Sequence, residues 1–247
     1  MSDNSGGAAR RAVAPLRNIT PGDAGASAAD GATLRVAEIF HSLQGESSRV
    51  GLPTVFVRLT GCPLRCRWCD TEYAFSGGET YTIDQVLATV TGFACLAVCV
   101  TGGEPLAQKN CLPLLARLCD AGYDVSLETS GALDIGAVDP RVSRIVDIKA
   151  PGSGEVARNH WQNLPHLRAH DEIKIVLANR ADYDWAIGIC RQHNLLRDDT
   201  NRPAVLFSPV QGELAPADLA QWILADRVPV RFQLQLHKLL WADTRGR

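Results

Sequence analysis

Three cysteines crowd into the stretch GCPLRCRWCDTEYAF at residues 61–75: Cys62, Cys66 and Cys69. Thiolates are soft ligands, and a C-x3-C-x2-C loop can wrap one face of a small metal site. A structural zinc ordinarily takes four ligands from two separated pairs. No second pair with that spacing follows, because Cys95 and Cys99 lie within or beside an apolar strand-like run and Cys111, Cys119 and Cys190 fall in helical stretches. A zinc knuckle would therefore need a histidine such as His41 to complete it. A 4Fe–4S cubane held by three thiolates leaves one iron open to an exogenous ligand, and an open iron is a catalytic feature.

Other reactive residue types sit at the ends of apolar runs. VTGGEP (100–105) ends a strand and opens a helix, with Pro105 suited to the first helical turn. Gly102 and Gly103 would let a ligand come close to the backbone, although a plain strand-to-helix turn reads the same way. ETSG (128–131) and DIKAPGSGE (147–155) offer hydroxyls and a lysine for ribose and carboxylate contacts. Ser130 and Lys149 are the candidates there; Ser130 equally suits a helix cap, and Asp147 equally suits a partner of Lys149.

The elements that must position these groups repeat as a short β-branched run, a polar or glycine-rich link and a helical stretch, which is the grammar of βα units. Candidate strands are residues 54–59, 96–100, 124–128, 144–148, 172–177, 204–207 and 231–236, with helices over 83–90, 111–122 and 181–193 between some of them. Near-continuous apolar strands covered by helices predict a mostly parallel sheet, with the chemistry gathered at the strand C-termini. Six strands are followed by polar, glycine-rich or ligand-type residues, which predicts one shared mouth. The expected fold is α/β, a partial, open and reduced TIM-like barrel, since some crossovers are too short for full helices.

Composition bounds the rest. The chain has 247 residues, 46% hydrophobic and 21% charged, with a net charge of -2. That length supports one sizeable core, and the charge balance argues against a surface built for nucleic acid. No apolar run approaches the roughly 20 residues that cross a bilayer, so a cytoplasmic location is expected. Clustered cysteines in a reducing compartment point to metal or catalysis before disulfides. Residues 1–33, rich in Ala, Gly, Ser and Asp, read as a disordered tail, with 34–247 as the catalytic domain. A transit peptide is a weaker reading of the tail because Asp3, Asp23 and Asp30 carry the wrong charge.

C-x3-C-x2-C after a strand, followed by TGGEP, resembles the radical S-adenosylmethionine (radical SAM) superfamily. Within it, EIFHSLQGE (38–46), RLTGC (58–62), CDT (69–71), SPVQG (208–212) and QLHK (235–238), in that order, resemble the 7-carboxy-7-deazaguanine synthases. The resemblance implies that Cys62, Cys66 and Cys69 hold the 4Fe–4S cluster and that S-adenosylmethionine chelates the fourth iron and yields a 5′-deoxyadenosyl radical. It implies cofactor contacts from Gly103, Glu104, Ser130, Asp147, Ile148, Lys149, Ser208, Pro209, Val210 and Gln211. It also implies a pterin substrate, 6-carboxy-5,6,7,8-tetrahydropterin, undergoing ring contraction with loss of ammonia, as in the making of 7-deazapurines such as the queuosine precursor.

Substrate contacts are expected from Leu43, Gln44, Gly45, Glu46, Arg58, Thr101 and His237, with Glu46 and His237 also catalytic. The residue types suit these roles. Gln44 and Glu46 can pair the pterin edge, the planar fork of Arg58 suits a carboxylate, and His237 can hold or carry a proton. The Thr71 hydroxyl is an oxygen ligand of the kind Mg2+ prefers. Each has a plainer alternative: a buried ion pair for Arg58, loop roles for Gln44 and Glu46, a loop cap for Thr71 and a structural histidine. The implied partners are an electron donor such as flavodoxin and a second copy of the chain in a homodimer, with neither nucleic acid nor membrane.

Two departures bear on the resemblance. Ser47 stands where the family commonly has glycine, and LLWADTRGR (239–247) runs past where shorter members stop, so no substrate contact is assigned to the C-terminus. Two rival functions remain open. A glycyl-radical activase draws some support from DIKAPG, and a zinc-stabilised binding module would have no catalysis at all.

Overall fold

The structure is a computed structural model that describes residues 31–196, 201–242 and 244–247. The expected tail therefore lies largely outside the described residues, and the first strand already includes Thr33. Residues 31–247 form one compact unit.

Among the described residues nine strands form one open sheet, in the order β3-β1-β2-β4-β5-β6-β7-β8-β9. They are β1 (Thr33–Leu43), β2 (Pro53–Leu59), β3 (Glu79–Thr82), β4 (Ala97–Gly102), β5 (Asp124–Thr129), β6 (Ser143–Asp147), β7 (Glu172–Leu177), β8 (Ala204–Pro209) and β9 (Arg231–Phe232). All neighbours from β2 through β9 pair in parallel, while β1 runs antiparallel to both β2 and β3. The helices are α1 (Ile83–Thr91), α2 (Cys111–Asp120), α3 (Arg180–Gln192), α4 (Pro216–Asp226) and α5 (Leu236–Trp241). Local chemistry starts them: Thr82 and Gln85 form a reciprocal capping box before α1, and the Asn179 side chain accepts from Asp182 N before α3.

Apolar packing falls into two clusters. One joins Val55, Val57, Leu59, Val98, Val100 and Leu127 to the inward faces of α1 and α2. The other joins Ile173, Ile175, Leu177, Val205 and Phe207 to α3 and α4. Between β5 and β7 no α-helix intervenes among the described residues, only 3-10 turns, as the short crossovers predict. Those links cannot cover the sheet fully, and the barrel stays open.

Three expectations change. β1 is missed because a register shift between Val36 and Glu38 breaks the period-two pattern that marks a strand. β3, with the sequence ETYT, is a short polar edge with no apolar alternation to detect. The strand expected over 231–236 ends at Phe232. Beyond it the Gln233 side chain clamps the backbone of Ser47, accepting from Ser47 N (2.8 Å) and donating to Ser47 O (2.7 Å), and Leu236 N donates to Gly45 O (2.9 Å). The chain is thereby drawn off the sheet edge onto the 44–48 loop and turns into α5.

Candidate active site

Residues from the ends of β1, β2, β4, β5, β6 and β8, from α5 and from inside β7 line a cavity of about 280 Å³. The cysteine loop leaves the end of β2 and is pinned by Gly61 N to Ala74 O (2.8 Å) and Arg67 N to Ser153 O (3.0 Å). Cys62, Cys66 and Cys69 all face the cavity as free thiols. Burial pushes each of these thiols above its ordinary pKa, so holding all three as thiolates needs a cationic partner. A cationic iron–sulfur core fits that donor set.

The zinc reading fits poorly. Ligands of one zinc, with Zn–S near 2.3 Å, must crowd within about 4 Å of each other. No three His, Cys, Asp or Glu side chains gather in that way among the described residues. His41 pairs across from Val55 near the start of β2 and packs on Phe93, whereas the cysteines follow the other end of that strand.

The Gly-Gly-Glu turn does something other than expected. A β-carbon on Gly102 would strike Leu59 O, and one on Gly103 would strike Gly61 O and the Cys62 side chain. The absent side chains thus make room for the cysteine loop, and Gly103 still lines the cavity. Glu104 does not line it. Its carboxylate is fully buried and accepts from Leu106 N (2.9 Å), Thr129 Oγ1 (2.8 Å), Ser130 N (2.7 Å) and Ser130 Oγ (2.5 Å). With four donors satisfied, this carboxylate locks the end of β4 to the end of β5 and is not offered to a ligand. Ser130, Asp147, Lys149, Val210 and Gln211 face the cavity, whereas Ile148, Ser208 and Pro209 are absent from its lining. Ser130 bonds Glu104 and caps no helix.

Leu43, Gln44, Gly45, Glu46, Arg58, Thr101 and His237 line the same cavity. A β-carbon on Gly45 would strike His237 Nδ1, so the loop glycine admits the imidazole. Arg58 realises its plainer alternative in part: Nε donates to Glu38 Oε1 at 2.7 Å, with Phe40 and Tyr73 flanking the guanidinium. The Nη groups make no hydrogen bond among the described residues, so they remain for a ligand. The Thr71 hydroxyl donates to Asp70 Oδ1 (2.8 Å), whose other oxygen meets Lys238 at 3.2 Å. The two oxygen donors suit a hard cation, so Mg2+ fits here. Thr71 makes no side-chain cap bond.

Several cavity residues escaped sequence reading. Lys174 sits within β7, and its ammonium meets Glu46 Oε2 at 2.5 Å and Asp147 Oδ1 at 3.3 Å. Gln235 donates to the other Glu46 oxygen at 2.6 Å. Burial raises the Glu46 carboxyl, but Lys174, joined by Gln235 and His237, outweighs it and holds the group below its ordinary range. Glu128 accepts from Gln44 Nε2 (3.2 Å) and Thr101 Oγ1 (3.1 Å), and burial pushes its carboxyl above the ordinary range despite Lys174. The available signal was an ionisable residue inside an apolar strand, as with Lys174 in EIKIVL and Glu128 in DVSLET. The C-terminal segment also comes closer than expected: Arg247 lines the cavity and the Arg245 guanidinium lies 4.1 Å from the Tyr73 ring centre.

An open parallel sheet with three thiols after one strand and a Gly-Gly-Glu turn after the next defines a radical SAM protein, and the model of the Radical SAM superfamily matches residues 56–147. The crystal structure of QueE from Escherichia coli shares the fold, with a TM-score of 0.68 at 23% identity, covering 85% of this chain and 96% of that one. The 7-carboxy-7-deazaguanine synthase of Chlorobaculum tepidum is 48% identical over 220 residues, 87% of this chain and 98% of the relative. That of Koribacter versatilis is 43% identical over 228 residues, 86% of this chain and 100% of the relative. The chain belongs to the 7-carboxy-7-deazaguanine synthase family.

Proposed function

We propose that the chain converts 6-carboxy-5,6,7,8-tetrahydropterin to 7-carboxy-7-deazaguanine with loss of ammonia, acting as a radical SAM carbon–nitrogen lyase in 7-deazapurine biosynthesis. The observation that carries this reading is that three free thiols and a set of donors and acceptors suited to a pterin carboxylate line one cavity. When bound, the cluster and S-adenosylmethionine supply the radical that takes a hydrogen atom from C6 of the substrate. Cys62, Cys66 and Cys69 would hold the cluster. Gly103, Ser130, Asp147, Lys149, Val210 and Gln211 would hold S-adenosylmethionine, and the Thr71 hydroxyl would hold Mg2+.

The chain's own side chains would orient the substrate. The free Nη groups of Arg58 meet its carboxylate. Glu46, kept ionised by Lys174, accepts from ring N–H groups, with Gln44 and Thr101 pairing the rest of the edge. His237, seated against Gly45, holds a proton for the departing ammonia. The Glu104 carboxylate shapes the turn by locking the ends of β4 and β5 together. We further infer that residues 34–247 are the catalytic domain, that the protein is cytoplasmic, and that it takes electrons from a carrier such as flavodoxin and works as a homodimer. Among the described residues no helix is long and apolar enough to cross a membrane.

The test is an anaerobic assay of cluster-reconstituted protein with reductant, S-adenosylmethionine, Mg2+ and 6-carboxytetrahydropterin, read by mass spectrometry. The expected result is 7-carboxy-7-deazaguanine in excess over S-adenosylmethionine consumed. Cleavage of S-adenosylmethionine with the pterin untouched would overturn the substrate and favour a glycyl-radical activase.

A further inference from the structure

One side of β7 faces apolar helices and the other faces the cavity. Ile173, Ile175 and Leu177 are fully buried against the α3 cluster. Glu172 and Lys174 point the opposite way, as period-two geometry requires, and both reach the same loop. Glu172 accepts from Ser48 N at 2.9 Å and from the Ser48 hydroxyl, while Lys174 takes Glu46 two residues earlier. A single strand thus holds the 46–48 loop at two points, one a hydrogen-bonded serine and one an ion pair.

Lys174 also reaches the strand that carries the cofactor-facing residues. Its second partner, Asp147, has its other oxygen bonded to Lys149 Nζ at 2.6 Å. The result is an unbroken chain of charge, Glu46–Lys174–Asp147–Lys149, running from the substrate-facing loop to the cofactor-facing end of β6. Among the described residues Lys174 is the one cation in salt-bridge range of Glu46. The other charged or titratable groups facing this chain are Glu128 from β5, Arg58 from β2, His237 from α5 and, at its Lys149 end, Cys62 and Cys66 from the loop after β2. Neither Arg58 nor His237 bonds the Glu46 carboxylate. Removing Lys174 therefore leaves a buried anion whose remaining hydrogen-bond donor is the neutral amide of Gln235.

We propose that Lys174 is a positioning residue that fixes the Glu46 carboxylate toward the substrate and ties it to Asp147, making the substrate loop and the cofactor strand one charged unit. The inference rests on the reading of Glu46 as a substrate contact. Without the ammonium, Glu46 takes up a proton more readily, loses its capacity to accept from the substrate, and swings free of β6.

The test compares wild type, K174M, K174R, E46Q and the double variant E46Q/K174M, each with iron and sulfide content measured to confirm cluster loading. The acid limb of kcat/KM for the pterin should move up by about one pH unit or more in K174M and stay near wild type in K174R. KM for the pterin should rise more than kcat falls, and the double variant should be no worse than K174M alone. An unmoved acid limb, or losses that multiply in the double variant, would overturn the proposal.

Thermal unfolding between pH 5 and 8 reads the same coupling with no substrate present. In K174M the uncompensated Glu46 carboxyl is raised above its unfolded value, so stability is present at low pH and lost as pH climbs through the folded pKa. E46Q/K174M should recover much of that loss, and parallel profiles in all five proteins would sink the coupling. If wild type leaves the pterin untouched but this pH-dependent recovery appears, the substrate reading fails and the Lys174 link stands.

Discussion

Along the wall made by the ends of β2, β4 and β5, the cavity is shaped by backbone: Gly102 and Gly103 press against Leu59, Gly61 and Cys62, and Glu104 is consumed by four protein donors. By contrast, β6, β7 and the run into α5 hold their shape with buried charges and side-chain amides, through Asp147, Lys149, Lys174, Glu46, Gln235 and Gln233. The first wall must keep three thiols in fixed relation to one cluster, and close backbone packing is rigid on that scale. The second must recognise a polar, charged molecule, and buried charges give direction and specificity at the cost of pH sensitivity.

Substitutions should separate the two walls. The largest effect is expected from G103A, whose methyl group must displace Gly61 or Cys62. Misplacing the cysteine loop by a fraction of an ångström to an ångström should cost about 100-fold in kcat/KM at every pH, with a parallel fall in iron content. A strong pH dependence of that loss would contradict a steric wall.

The buried charges of the cavity, Glu128 on β5 among them, should respond to pH instead. Burial raises the Glu128 carboxyl, so its charged form is disfavoured in the fold and the chain gives up stability as pH climbs through that folded pKa. Replacement by glutamine should therefore raise Tm by roughly 2–4 °C at pH 8 and less at pH 5, while lowering affinity for substrate. An equal shift at both pH values would mean that Glu128 is not held against its charged form.

The smallest effect is expected at Ser47. Ser47 adopts φ 66°, a left-handed conformation that favours glycine, and Gln233 fixes its backbone there. S47G removes that steric penalty and also the Arg49 N to Ser47 Oγ bond, so stability measured by denaturant should change by no more than about 1 kcal/mol, with activity retained. A large activity loss would show that the serine hydroxyl itself matters to the loop. Both backbone polar groups of Ser47 are held from outside, by the Gln233 side chain.

The two walls also differed in how well they could be read. The cysteine loop, TGGEP and the strand ends around them are continuous in the chain, and their residue types follow from covalent and backbone geometry over a few residues. The helices over 83–90, 111–122 and 181–193 carried apolar periodicity, the first and third also a side-chain cap, and they appear within two residues of expectation at each end. β1 escaped because of its register shift, and the run at 231–236 mimicked a strand until Gln233 found Ser47, 186 residues away. Glu104 was assigned to a ligand because its motif is shared, but only its burial shows that the protein itself uses every acceptor.

By itself the sequence determined the α/β grammar, the three-thiol loop and the likeness to radical SAM proteins, since each depends on spacing along the chain. Which charges meet was decided by the tertiary structure alone. Lys174 faces Glu46 because β7 is turned with its isoleucines toward α3, and Gln235 and His237 reach the same loop because the chain leaves the sheet after Phe232. Pairings between residues more than a hundred positions apart arise when sheet order is set, and sheet order is not written in any local pattern.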